Sequence, residues 1–211
     1  MPIVGRIRLK FLLATTILVA SGIAPAFAQT PQDWANCLTG DLRTPDVPID
    51  GCTAVIKTGD QILRRLAAAY NNRGVAYRLK ANYAQAIDDF NEAIRLEPKN
   101  ANAFNNRGVA YRNMGDLDRA VADYDQAILL KPDYFAAFYN RGLALADKKE
   151  YAKAISDFTT VLQVDPKNPT VLYRRGTTYL NSGDTEAGNA DLAAAKAIKT
   201  DIAEDIRRGG P

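Results

Sequence analysis

No histidine occurs anywhere in the chain, and that absence removes the commonest general base near neutral pH and the commonest metal ligand. Cysteine is scarce too. The two present, Cys37 and Cys52, form no CxxC pair and have no imidazole to activate them as nucleophiles. Neither of the phosphate-cradling patterns GxxxxGK[ST] and GxGxxG appears, and the nearest glycine-rich stretch, Gly209-Gly210-Pro211, reads as a frayed end. The carboxylates that remain are spread over solvated helix faces. The expectation is a protein with no catalytic residues, no cofactor and no bound metal.

Long apolar runs are equally rare. The one at Phe11–Ala20 follows Arg6, Arg8 and Lys10 and precedes the small-residue close Ala26-Phe27-Ala28. That is the form of a secretory signal peptide over 1–28. A membrane span needs ~20 apolar residues, and this run ends sooner, in Ser-Gly-Ile-Ala-Pro. Cleavage after Ala28 is expected, giving a periplasmic or secreted protein with no membrane segment. The basic excess disappears with it. Residues 1–28 hold three of the 27 basic residues and none of the 24 acids, so the rest has zero formal charge. A nucleic-acid partner, which would need a basic face, loses its compositional support.

What the chain has in abundance is repetition. Gly74, Gly108, Gly142 and Gly176 are spaced by 34 residues, and so are Ala86, Ala120, Ala154 and Gly188. The same register aligns Tyr77, Tyr111, Leu145 and Tyr179, then Phe90, Tyr124, Phe158 and Leu192, then Ala93, Ala127, Val161 and Ala195. Pro98, Pro132 and Pro166 close three of the units. A fixed period of this length is the mark of a stacked array.

The pattern of aromatic, small residue, aromatic, Ala, aromatic, Ala and Pro resembles the tetratricopeptide repeat. Tyr70, Phe104, Phe138 and Leu172 stand where that family usually carries Trp. The resemblance implies an all-α, right-handed α-solenoid of helix-turn-helix units at 67–100, 101–134, 135–168 and 169–202. First helices are expected near 68–80, 102–114, 136–147 and 170–182, with partners near 83–96, 117–130, 151–164 and from 185 onward. The fourth unit has Thr200 in the proline position, so one helix is expected to run from Ala187 to Arg207, with Leu192, Ala195, Ile198, Ile202 and Ile206 as its apolar stripe. Residues 203–211 would be the end of this C-terminal cap and a tail.

Residues 29–66 read as a worn capping repeat, since a terminal unit has no neighbour to cover its apolar face. Pro48–Ile56 can be laid over Ala86–Ile94, which puts Cys52 in the place of Phe90. Trp34–Leu38 is then what remains of a first helix. A disulfide between Cys37 and Cys52 is expected in an oxidising compartment. With 14 residues between the two, it would stabilise by about 3 kcal/mol in the chain-entropy model.

Two ladders invite a functional reading. Arg73, Arg107, Arg141 and Arg175 each have an acid 16 residues later, at Asp89, Asp123, Asp157 and Asp191. Two sets in fixed register point to structural ion pairs rather than to a basic ligand face. The second ladder lies on the face formed by the first helices, where the resembled family holds peptides: Asn71, Asn72, Arg78, Asn105, Asn106, Arg112, Tyr139, Asn140, Tyr173 and Arg174. Amides both donate and accept, which suits a peptide backbone. For Asn72, Asn106 and Asn140, binding and hydrogen bonding between helices stand as equal readings. Asn71, Asn105, Tyr139 and Tyr173 are expected to have no task in packing and hence to serve a ligand.

Some members of the family clamp a terminal carboxylate. Carried onto this chain, that set falls on Asn105, Val109, Asn140, Thr170 and Arg174, of which only Asn140 and Arg174 match, so this type of clamp is not expected. The function expected is that of a non-catalytic scaffold or adaptor holding a peptide of a partner protein. Self-assembly into a homo-oligomer, or capture of an envelope glycan or lipid, are the alternatives. Protein isolated from its native compartment should begin at Gln29 and show no titratable thiol when denatured without reductant. An intact Met1 contradicts export, and two free thiols contradict the bridge.

Overall fold

The computed structural model describes residues 30–41, 43–58 and 62–209. The segment 1–28 and the last two residues, 210–211, lie outside them. Within the described residues eleven helices follow one another without a strand: α1 (Pro31–Thr39), α2 (Asp46–Thr58), α3 (Leu63–Leu79), α4 (Tyr83–Leu96), α5 (Ala101–Asn113), α6 (Leu117–Leu130), α7 (Phe135–Asp147), α8 (Tyr151–Val164), α9 (Pro169–Ser182), α10 (Thr185–Ile198) and α11 (Ile202–Arg207). From α1 to α10 each helix packs on its immediate neighbours in the chain, and α11 packs on α9, which makes the molecule an α-solenoid.

Local chemistry sets the boundaries. Thr30 and Asp33 cap α1 reciprocally, while Asn100, Asp116, Asn168 and Asp184 each accept a backbone N–H three residues on. Glu97, Lys131 and Asp165 leave the helical region just before Pro98, Pro132 and Pro166. A residue preceding proline is disfavoured in the α conformation, so the helix ends there.

The fourth unit corrects an expectation. No single helix spans 187–207: α10 stops at Ile198, Lys199 is extended (φ −140°, ψ 104°), and α11 starts at Ile202. Proline is absent here, so burial supplies the cause. Antiparallel α9 and α10 are both 14 residues long, and a straight continuation of α10 would overhang the start of α9. The turn instead folds α11 back, and Ile202 and Ile206 enter the cluster that contains Val171, Leu172 and Ala195. Ile198, expected in the apolar stripe, is exposed.

Inside each of the first three units the two helices close around one ring; the fourth has Leu192 in its place. Phe90, Tyr124 and Phe158 are fully buried, with Ala86, Ala120 and Ala154 beside them. A Cβ on Gly108 would stand 2.7 Å from Cε1 of Tyr124, nearer than atoms tolerate, so only glycine permits this separation of α5 and α6.

The arginine ladder binds three helices at a time. In every unit the guanidinium grips the aspartate of its own second helix with two bonds, as in Arg107 Nε to Asp123 Oδ2 at 2.8 Å and Nη2 to Oδ1 at 2.7 Å. Arg73–Asp89, Arg141–Asp157 and Arg175–Asp191 repeat the fork. The remaining Nη1 reaches the second helix of the preceding unit, at Thr53, Asn91, Asp125 and Thr159 in turn. Thr53 takes the place of Asn91, which matches the overlay of 48–56 on 86–94. Burial pushes the Asp89 and Asp123 carboxyls up, while bonding to the acids raises the arginines.

At the N-terminal end Cys37 of α1 and Cys52 of α2 are joined by a disulfide with Cα atoms 4.5 Å apart. Both are buried, and Cys52 stands where the later units carry their ring.

Removing either member of a desolvated ion pair strands the other. Arg107→Ala and Asp123→Ala should each destabilise by about 3 kcal/mol, and the double variant should cost at least about 1 kcal/mol less than their sum in denaturant titration. Strict additivity contradicts the pairing.

Candidate peptide-binding face

Successive first helices touch: α3 meets α5, α5 meets α7 and α7 meets α9, whereas no comparable contact links successive second helices among the described residues. The array is therefore tighter on the first-helix side. That side is the concave one, and it carries all ten residues singled out for binding.

Their roles divide sharply. Asn106 Nδ2 donates to Asn71 Oδ1 at 3.0 Å, and Asn140 Nδ2 donates to Asn105 Oδ1 at 2.9 Å, each pair 35 positions apart. Asn72 Nδ2 donates to the Cys37 carbonyl at 3.1 Å and accepts from Asn71. The amide ladder thus stitches neighbouring units together. Spacing of 35 rather than 34 arises because a side chain reaching across to the next first helix meets the residue one step beyond its repeat equivalent.

This corrects the expectation that Asn71, Asn105, Tyr139 and Tyr173 are free of packing. Asn105 is only 5% exposed and is bonded to Asn140. The Tyr139 ring lies 6.0 Å from that of Phe158, centroid to centroid, and Tyr139 and Tyr173 both pack on the buried cluster of the third and fourth units. Asn71 and Asn105 bond to the next unit, while the two tyrosines pack on the core, so all four have structural tasks.

Three arginines lie on this face in different states. Arg112 is paired with Asp147 on α7, Nη2 to Oδ2 at 2.7 Å. Arg78 and Arg174 make no ion pair or side-chain hydrogen bond among the described residues, and in both the Nε atom is buried without an acceptor. Burial pushes the Arg78 guanidinium down, opposed by Tyr124 and Tyr83.

Between the third and fourth units a cleft of about 250 Å³ opens along the first helices, lined by Phe135, Ala136, Tyr139, Val161, Asn168, Thr170 and Val171. Its wall is mostly apolar, with the Tyr139 ring and the polar groups of Asn168 and Thr170 among its lining. Ala136 within it is exposed.

Sequence reasoning missed Ala136, Asp147 and the hydroxyl of Tyr124. Asp147 was within reach of it, since an acid stands 35 positions after Arg112, but columns aligned at 34 hide that relation. Among the described residues no cluster of three metal-ligating side chains forms, and no helix is long and apolar enough to cross a membrane.

The amide ladder has a measurable consequence. Asn105→Ala leaves the Asn140 amide without its acceptor inside the array, and thermal unfolding should show a loss of about 1–2 kcal/mol. An unchanged melting temperature would mean that the ladder does not hold the units together.

Models of the tetratricopeptide repeat match residues 67–100 and 105–169. No curated protein matches the chain. Among solved structures, a MamA protein superposes with a TM-score of 0.68 at 19% identity, covering 84% of this chain and 99% of that one. YrrB, described as a tetratricopeptide repeat protein with an unusual peptide-binding site, gives 0.67 at 21% identity over 86% of this chain and 92% of its own. The repeat domain of Arabidopsis OM64 gives 0.53 at 24% identity, over 55% and 96%. At such identities these structures share the fold. With the 34-residue period, the glycine-to-ring packing and the matched repeat models in agreement, the chain belongs to the tetratricopeptide repeat family.

Proposed function

We propose that this protein is a non-catalytic interaction scaffold that holds a peptide segment of a partner protein along its first-helix face. The observation that carries this reading is the open cleft around Tyr139, an apolar trough with polar edges on the concave side. A trough of that kind takes one side chain of an extended or helical segment, and an aromatic in its wall is a favourable anchor. Unpaired Arg78 and Arg174 further along the face add cations that the fold does not use. The family and the peptide-binding site named for YrrB agree with the reading. An open cleft with polar edges suits a peptide better than a glycan or lipid, for which a deep enclosed pocket would be expected. Export, as read from residues 1–28, would put the partner in the cell envelope or outside the cell.

The test uses exposed positions, so that the fold is spared. A photo-crosslinking amino acid at Ala136 or Asn102, on the first helices α7 and α5, should trap a partner in the native cell; one at Ala122, on the outer helix α6, should not. Ala136→Arg should then weaken capture by about tenfold, with stability within about 0.5 kcal/mol of the parent. Adducts formed only from Ala122 would move the binding surface to the second helices and refute the proposal.

A further inference from the structure

Side chains of neighbouring first helices meet 35 positions apart. The rule holds for Asn71 with Asn106, for Asn105 with Asn140 and for Arg112 with Asp147. Applied to Arg78 it lands on Asn113, an amide where Arg112 finds a carboxylate. The first inter-unit step therefore has the arginine of the second without its acid. Arg78 forms no ion pair among the described residues, and its buried Nε has no acceptor.

A second unspent group lies close by. Phe90 and Phe158 have no hydroxyl, but Tyr124 between them does, and that hydroxyl is buried with no hydrogen-bond partner. Tyr124 is within electrostatic range of Arg78, Arg112 and Asp147. A buried polar atom without a partner destabilises a fold, so the Nε of Arg78, on a first helix, marks a place where something is received, whereas the Tyr124 hydroxyl is enclosed in the core of its unit.

We infer that Arg78 is an anchor for a carboxylate of the bound peptide, which takes on Arg78 the place that the Asp147 carboxylate takes on Arg112. The inference rests on the reading of the first-helix face as a peptide face, and it names the chemistry selected there. A guanidinium presents a planar fork to a carboxylate; here Arg112 Nε and Nη2 converge on one oxygen, Asp147 Oδ2, at 2.9 and 2.7 Å. Arg112 cannot serve as the anchor while Asp147 holds it. The carboxylate can come from an acidic side chain or from a chain terminus, and the two sources are separable.

The test follows the Nε–Hε resonances of Arg78 and Arg112 in the full chain by NMR. Three probes are titrated: acetyl-Gly-Ser-Glu-Ser-Gly-amide, its Gln counterpart, and the Gln peptide with a free C-terminal carboxylate. The Gln amide should leave Arg78 in place. A saturable shift of Arg78 with the Glu peptide assigns an acidic side chain, and one with the free terminus assigns a C-terminal carboxylate. Arg112 should stay still with all three. Asn113→Asp supplies the missing acid internally, so it should move the Arg78 resonance without any peptide and weaken the active probe by about tenfold. Asp147→Asn should make Arg112 responsive in its turn. An Arg78 resonance that ignores both carboxylates, or answers the Gln amide equally, overturns the inference, and so does an Asn113→Asp variant that binds as the parent does. If the peptides perturb Ala136 and Tyr139 but never Arg78, the anion site falls and the peptide face stands. If Arg78 titrates while nothing reaches α7 and no partner is trapped there, the reverse holds.

Discussion

The close approach of two helices around a single buried ring is the constraint on which every other feature of this molecule depends. Gly74, Gly108 and Gly142 leave room for Phe90, Tyr124 and Phe158, and a methyl group at any of the three would collide with the ring edge. Because each pair of helices is held this near, the arginine immediately before each glycine can span from its own unit to the one before. The Arg–Asp forks then convert stacked hairpins into a continuous array. Such forks fix geometry more than they add stability, since the cost of desolvating both ions offsets most of their attraction. The net hold between units comes from the buried rings and alanines, and the forks set their register.

Curvature follows from the same packing. Successive first helices touch one another, whereas among the described residues successive second helices do not. The inner face is therefore a crowded surface on which side chains have neighbours in the next unit. That crowding explains why a residue type alone could not reveal its role. Amides that would suit a peptide backbone are spent on one another, and the tyrosines are partly spent on the core. What is left for a ligand is whatever the 35-position rule leaves unpaired, together with the cleft where Ala136 is too small to fill the space beside Tyr139.

Much of this was legible in the sequence because a strict period makes each position a repeated measurement. The 34-residue columns disclosed the hairpins, the Arg–Asp pairs at a spacing of 16 and the overlay that places Cys52 on Phe90. Relations between units were not legible in the same way. Asn140 with Asn105, and Arg112 with Asp147, cross from one column to another, and only the stagger of neighbouring helices in space shows that they meet. The end of α10 was hidden for a different reason. No local signal stops it at Ile198; the turn exists because Ile202 and Ile206 gain burial against α9 that a straight helix would forgo. The reading of residues 1–28 as an export signal lies outside the described residues and rests on its residue pattern alone.

The central claim is that ligand and scaffold divide the first-helix face between them, with the outer helices uninvolved. Methyl-labelled protein mixed with the partner recovered from cells, observed for intermolecular nuclear Overhauser effects, tests this most directly. The account predicts contacts to Val75, Val109 and Leu143 on α3, α5 and α7, and none to the exposed Leu129 and Val164 on α6 and α8. Contacts confined to Leu129 and Val164 would contradict it.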